Sequence, residues 1–172
     1  MVSPGADPTT VIVVQVDAVF DERYWYPDDG SIVWLSGYAV VGDDGRYLAR
    51  DAPELAARGL IVTNVAGAAR HHADALASDA AAPGSGLELR RDRANEHDRN
   101  ATAVHLRGGE QLGWVPREVA ALLAPELDAS TAWSALALRE SRRSPRDPRA
   151  GLTMLLARTG AIELRDRPRA PR

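Results

Sequence analysis

Asn95-Glu96-His97-Asp98-Arg99-Asn100-Ala101, followed about a dozen residues later by Gly113-Trp114-Val115-Pro116-Arg117, is the stretch that decides the reading of this chain. Asn95, Asp98 and Asn100 carry short polar side chains that can fold back onto neighbouring backbone N–H groups and build a rigid turn. The turn leads into Ala101–Leu106, where small or apolar residues alternate with polar ones as in a half-buried strand. Gly108-Gly109 reverses the chain, and Gln111–Val115 makes a second strand. Pro116 suits the first position of a helix and Glu118 the positive end of its dipole, so the spacing predicts a helix over Arg117–Leu123.

The same pattern continues outward. Thr10–Phe20 is rich in β-branched residues and reads as a strand. Pro27-Asp28-Asp29-Gly30 is a turn, Ser31–Val41 a second strand, and Asp43-Asp44-Gly45 a tight turn into a short strand at Arg46–Ala49. Pro53–Arg58 predicts one or two helical turns capped by Asp51. Leu60–Val65 is a strand, Arg70–Ser78 an alanine-rich helix, and Pro83-Gly84-Ser85-Gly86 a break before the strand Leu87–Arg91. Thr131–Arg139 and Leu152–Arg158 are two further strands joined by a Ser, Arg and Pro linker. Many short strands with few helices between them predict a mainly β protein, a small barrel or sandwich with one or two short helices.

Composition narrows the function classes. The chain has 172 residues, 45% of them hydrophobic, enough for one ordinary domain with an extension. Its formal net charge is −3 and its pI about 5.8, against a broad DNA-coating surface but not against a local pocket. Residues 1–58 hold ten acids and four arginines; the remainder is net basic, an asymmetry that suggests two pieces. There is no cysteine, which removes disulfides, thiolate metal sites and cysteine nucleophiles. Met1–Thr10 lacks the basic and apolar regions of a secretory signal, and no apolar run is long enough for a bilayer. A cytoplasmic protein without membrane partners is the expectation. All 21 basic side chains are arginine, which GC-rich codon usage explains.

No Walker loop, Rossmann fingerprint or G-x-S-x-G elbow occurs, so no ATPase, nucleotide-dependent or serine-hydrolase activity is expected, and no cofactor. His71 and His72 are adjacent, about 100° apart on a helix, so they cannot share a face as metal ligands do. Trp114 offers a flat face and an N–H, and core packing competes with a binding role for it. Arg117 stands in a first helical turn, where the dipole disfavours a cation. It reaches either an external anion or one of its neighbours Glu110 and Glu118. Tyr24-Trp25-Tyr26, among acids, suits cross-strand packing or a partner surface rather than phosphate contact.

The order N-x-H-D-x-N-A-x-x-V, then G-W-V-P-R-x-x-A, resembles the signature of the HIRAN domain family, over about residues 59–158. The resemblance implies an OB-like barrel, flanked by an N-terminal acidic β extension over 1–58 and a disordered Arg/Pro-rich tail over 159–172. It implies binding of the free 3′ end of single-stranded DNA in repair or replication-fork processing, with a helicase or nuclease as partner. By the same resemblance, Asn95 and Asp98 bracket the turn's aromatic position, here His97. Asp98 accepts a hydrogen bond from the terminal 3′-hydroxyl, Trp114 stands at an aromatic position, and Arg117 contacts phosphate. Arg70, His71 and His72 fall where the family's first helix supplies a further aromatic pair. Stacking is worth about 1–3 kcal/mol per base, and histidine in place of tyrosine narrows the platform. The alternative is a barrel that has lost DNA binding and serves as a protein-interaction module.

Histidine as a class changes charge near pH 6.5. Affinity for single-stranded DNA is therefore expected to rise as pH falls from about 8 toward 6. Anisotropy curves that superimpose across that range would remove the histidines from the binding surface.

Overall fold

The structure, a computed structural model, describes residues 11–168. Expectations for Met1–Thr10 and for the last residues of the tail, 169–172, lie outside those residues. The element order is β1 (Val11–Trp25), β2 (Ile32–Val40), α1 (Pro53–Ala57), β3 (Leu60–Asn64), α2 (Ala68–His71), α3 (Ala73–Ala77) and β4 (Gly86–Arg91). It continues with β5 (Thr102–Leu106), β6 (Gln111–Trp114), α4 (Arg117–Asp128), β7 (Trp133–Arg142), β8 (Gly151–Arg158) and β9 (Ala161–Asp166). Among the described residues no helix is long and apolar enough to cross a membrane.

The fold is mainly β and OB-like. β3 pairs with β8, β8 with β7, β7 with β4, β4 with β5 and β5 with β6, all antiparallel. One backbone pair brings the ends of this series together. The Ala66 N–H donates to the Trp114 carbonyl at 2.8 Å, and the Trp114 N–H to the Ala66 carbonyl at 2.9 Å. Six strands thus form a small barrel. α4 buries Ala120 and Leu123 in the barrel core, against which the apolar side chains of Val104, Leu112, Met154 and Leu156 also pack.

The run Met154–Ala157 is apolar without alternation because β8 is covered on both faces there. Leu152, Met154 and Leu156 point into the barrel. Leu155 and Ala157 point outward into a second core with Leu60 and Val62 of β3 and Val14, Val16 and Val40 of β1 and β2. The N-terminal hairpin is therefore a cover on the outer face of the barrel. It also shares the barrel's sheet, since Trp34–Gly37 of β2 pairs with Arg139–Arg142 of β7. β7 serves both layers by alternation: Ala135 and Ala137 face the barrel and Leu138 the second core, and the register shifts by one residue at Leu138.

Several local expectations are corrected. Arg46–Ala49 is no strand; Asp44 Oδ1 accepts from the Arg46 N–H at 3.0 Å, and a single bridge, Val41 to Tyr47, is all the pairing that survives. Ala52 rather than Asp51 caps α1, with no side-chain bond. The expected helix Arg70–Ser78 is split into α2 and α3 at His72, whose φ of −136° is not helical. Pro116 is the cap of α4 rather than its first residue, and α4 runs on to Asp128 through Pro125. Burial of Leu123 and Ala124 just before the proline carries the helix past a residue with no N–H to donate. Part of the tail expected to be disordered is a strand. Ile162 and Leu164 pack on the second core, so β9 is held parallel to β1 despite the arginines around it.

Gly113 is the weak point of the closure. A Cβ there would come within 2.5 Å of the Ala66 carbonyl and 2.6 Å of Val65 Cγ1. Gly113→Ala is expected to cost about 1–3 kcal/mol, as overpacking does, measured by urea unfolding. An unchanged midpoint would mean that the barrel does not depend on this approach.

Candidate nucleic-acid interface

The turn between β4 and β5 is built from its own side chains. Asn95 Oδ1 accepts from the N–H groups of His97 and Asp98, both at 3.0 Å, and its Nδ2 donates to Asp92 Oδ2 at 3.3 Å. Asp98 Oδ1 accepts from the Asn100 N–H at 2.8 Å, and the Asp98 carbonyl from the Ala101 N–H at 3.0 Å. Asn95 is therefore occupied in shaping the turn through its side chain, and Asn100 takes part through its backbone N–H and carbonyl. Asp98 is used on one oxygen only; no other hydrogen bond reaches its carboxylate among the described residues. The turn leaves the His97 side chain exposed.

Arg91, which the sequence did not single out, clamps this turn from below. Its side chain is 11% exposed. Nη1 donates to the Ala101 carbonyl at 2.6 Å and Nη2 to the Arg99 carbonyl at 2.9 Å. Nε reaches Asp128 at the end of α4 at 3.0 Å, and Arg93 reaches the same carboxylate at 2.9 Å. An acid in the last turn of a helix opposes the dipole, and that was the available hint that Asp128 meets cations from elsewhere. Arg91 and then Arg93, by hydrogen bonding to it, hold the Asp128 carboxyl below its ordinary range.

Trp114 is half-buried and faces outward. A bulge at Leu112 makes this so: Leu112, Gly113 and Val115 are turned inward or covered, and Trp114 pairs with Ala103 on the outer face. Arg90, Ala103, Trp114 and Ala66 form one cross-strand row there. Gly67, at a φ of +73°, starts α2 beside that row. A Cβ on Gly67 would lie 3.5 Å from His71 Cδ2 and 3.8 Å from Trp114 Cδ1, so both rings border Gly67, whose positive φ favours glycine. The rings of His71 and His72 are 6.5 Å apart and edge-to-face.

A cavity of about 450 Å³ adjoins this spot, lined by Arg70 and His71 on one side and by Ala150 and Gly151 on the other. Its far wall is held by Arg149, which pairs with Glu140 and donates to the Leu76 and Ser78 carbonyls at 3.1 and 2.9 Å. Asp98, His97, Arg117 and His72 are not in its lining. They approach from a different direction. The Val115 N–H donates to the Thr102 carbonyl at 2.9 Å, and Thr102 Oγ1 to the Asn100 carbonyl at 3.1 Å, so the start of α4 adjoins the turn. Arg117 is exposed and forms neither of the expected pairs with Glu110 and Glu118, nor any other ion pair among the described residues. Among the described residues there is no group of three His, Asp or Glu side chains that could hold a metal.

Comparison with known proteins gives two matches. The family model described as the HIRAN domain matches residues 58–148, just over half of the chain. The crystal structure of the HIRAN domain of human HLTF is similar at 21% identity, covering 57% of this chain and 74% of that one, with a TM-score of 0.42. No curated protein matches.

Because the Asp128 carboxyl is held low, it favours the folded state above its ordinary pKa of about 3.9 and loses that effect as pH falls through the depressed value. Asp128→Asn is expected to lower the melting temperature by a constant amount from about pH 5 to 8 and by progressively less below about pH 4. Equal melting at all pH values would show that the clamp carries no stability.

Proposed function

The chain belongs to the HIRAN domain family, and from that premise we propose that it is a nucleic-acid-binding module that recognises the 3′ end of single-stranded DNA. The observation that carries this reading is the state of Asp98. The turn orients its carboxylate through one oxygen and leaves the other without a hydrogen bond among the described residues. A carboxylate with a vacant lone pair is an acceptor for a terminal 3′-hydroxyl, which an internal phosphodiester-linked sugar cannot offer. His97 and the converging rings of Trp114 and His71 provide stacking faces. Arg117, exposed and unpaired beside the turn, suits the penultimate phosphate, and the helix start behind it adds positive potential. Asn95 acts through Asp98 as a positioning residue.

Such a module serves DNA repair or replication-fork processing, where free 3′ ends arise, with a helicase or nuclease as the partner that supplies the chemistry. The second reading, a protein-interaction barrel, finds support in Tyr24, Trp25 and Tyr26, which are 45%, 61% and 49% exposed. It also requires a buried Trp114, whereas Trp114 is half-buried.

Fluorescence anisotropy with short oligonucleotides ending in 3′-hydroxyl or 3′-phosphate tests the proposal. Tighter binding of the hydroxyl end is expected. Asp98→Ala should abolish that preference, and Arg117→Ala should weaken both ends alike and flatten the salt dependence by about 0.7, one phosphate on a single strand. Equal affinity of the unaltered protein for the two ends would falsify end recognition.

A further inference from the structure

The cross-strand row that carries Trp114 does not stop at Ala66. The Val65 N–H donates to the Leu152 carbonyl at 2.9 Å, which carries the pairing of β3 with β8 on from Asn64 and Thr153 and sets Ala66 beside Gly151. Gly151 pairs in turn with Ser141 near the end of β7. Two strand spacings, roughly 10 Å, therefore separate the Trp114 backbone from the start of β8 on one face of the barrel. The cavity of about 450 Å³ lies over this interval, with Arg70 and His71 as the polar side chains of its lining and Ala150 and Gly151 as its far wall.

The loop between β7 and β8 rises from that far wall. Over residues 140–149 four arginines stand against Glu140 and Asp147, a net charge of +2. The arginines divide into two kinds. Arg142 and Arg149 both pair with Glu140, which is 7% exposed. Arg142 also donates to the Asp147 carbonyl at 2.9 Å, and Arg149 ties the loop to the carbonyls of Leu76 and Ser78. Ser144 closes the tip, its Oγ accepting from the Arg146 N–H at 3.3 Å and its carbonyl from the Asp147 N–H at 3.1 Å. Arg143 and Arg146 are exposed and form no ion pair or side-chain hydrogen bond among the described residues, and the same holds for Arg70 across the cavity. Two bonded arginines thus hold in place a loop that presents two unbonded ones.

We infer that Arg143 and Arg146 of the β7–β8 loop, across the cavity from Arg70, bind phosphodiesters of single-stranded DNA upstream of the 3′ end, so that the strand runs from the Asp98 turn past Trp114 and over the cavity. The inference rests on the nucleic-acid reading above and gives the strand its direction. A guanidinium with free donors on an ordered loop is matched to a phosphate, and a groove with basic rims follows a sugar-phosphate backbone without regard to sequence. The other way out from Trp114 runs along the outer face of β5 by His105 toward Arg107. That way meets an exposed acid, since Glu88 pairs with His105 across the strands and its carboxylate, 2.8 Å from Arg90, stays at the surface. Over the cavity, Glu140 is buried beneath its two arginines, and the field there favours an anion.

The test is anisotropy of the full chain with labelled oligothymidines of about 3 and about 12 nucleotides, each with a 3′-hydroxyl or a 3′-phosphate. The longer strand is expected to bind several-fold more tightly, since it alone reaches the loop. Arg143→Ala with Arg146→Ala should remove that advantage and lower the salt slope on the longer strand by about 1.4, two phosphates on a single strand, leaving the short strand and the end preference unchanged. Both positions are exposed, and thermal melting checks the fold; either substitution alone should lower the slope by about 0.7. Arg107→Ala should leave both lengths as they were. Equal affinity for the two lengths, a length advantage that survives the alanine pair, or one lost in Arg107→Ala instead, overturns the loop contact and leaves end recognition to the comparison of the two ends. A length advantage lost in the alanine pair alone, with equal affinity for both ends, supports the loop contact and removes end recognition. Failure to bind either length overturns both.

Discussion

The backbone pair between Ala66 and Trp114 is the constraint on which the rest of the arrangement depends. Two hydrogen bonds, 2.8 and 2.9 Å long, join the end of the β3 segment to β6 and turn a row of paired strands into a barrel. The pair is possible because Gly113 carries no side chain to hold the two backbones apart. It also sets the direction of Trp114, because the bulge at Leu112 has already exchanged the inner and outer faces of β6. Had the strand stayed regular, the indole would have entered the core. Gly67 then starts α2 at the edge of the indole and brings His71 to it.

A different kind of constraint holds the turn that carries His97 and Asp98. Its hydrogen bonds are local, so its shape is largely independent of the barrel, and Arg91 ties that shape to α4 through Asp128. Each such bond is worth about 1 kcal/mol net, more for the charged ones, and together they leave one carboxylate oxygen without a hydrogen bond among the described residues and one imidazole exposed. Asn95 stabilises the turn through its side chain, while Asp98, His97 and Arg117 keep unused bonding capacity among the described residues.

Most strands were legible from the sequence because their signals are local. The alternation in Ala101–Leu106, the turn chemistry of Asn95–Asn100 and the proline before α4 each act within a few residues. The mistakes have a common cause. Arg46–Ala49 lost its strand to a side-chain bond from Asp44, Arg70–Ser78 broke at His72, and β9 formed in an arginine-rich tail because Ile162 and Leu164 had a core to join. In each case tertiary packing or a single polar contact outweighed composition, whose preferences amount to a few tenths of a kcal/mol per residue.

By itself the sequence determined the family, the mainly β class and the self-bonded turn, because these follow from periodicity and from side chains that reach their own neighbours. Whether Trp114 pointed inward or outward was undecidable from its spacing; a one-residue bulge settled it. The partnership of Arg91 with Asp128 spans 37 residues and that of Arg50 with Asn64 fourteen, across strands that meet only once the sheet is assembled. The same holds for the N-terminal aromatics. In the sequence Tyr24 has acids for neighbours, and only the pairing of β1 with β2 and of β2 with β7 brings its strand into one sheet with Arg139. Charge along a chain is a one-dimensional property, whereas a binding surface is made of whichever residues the register of the strands brings to one face.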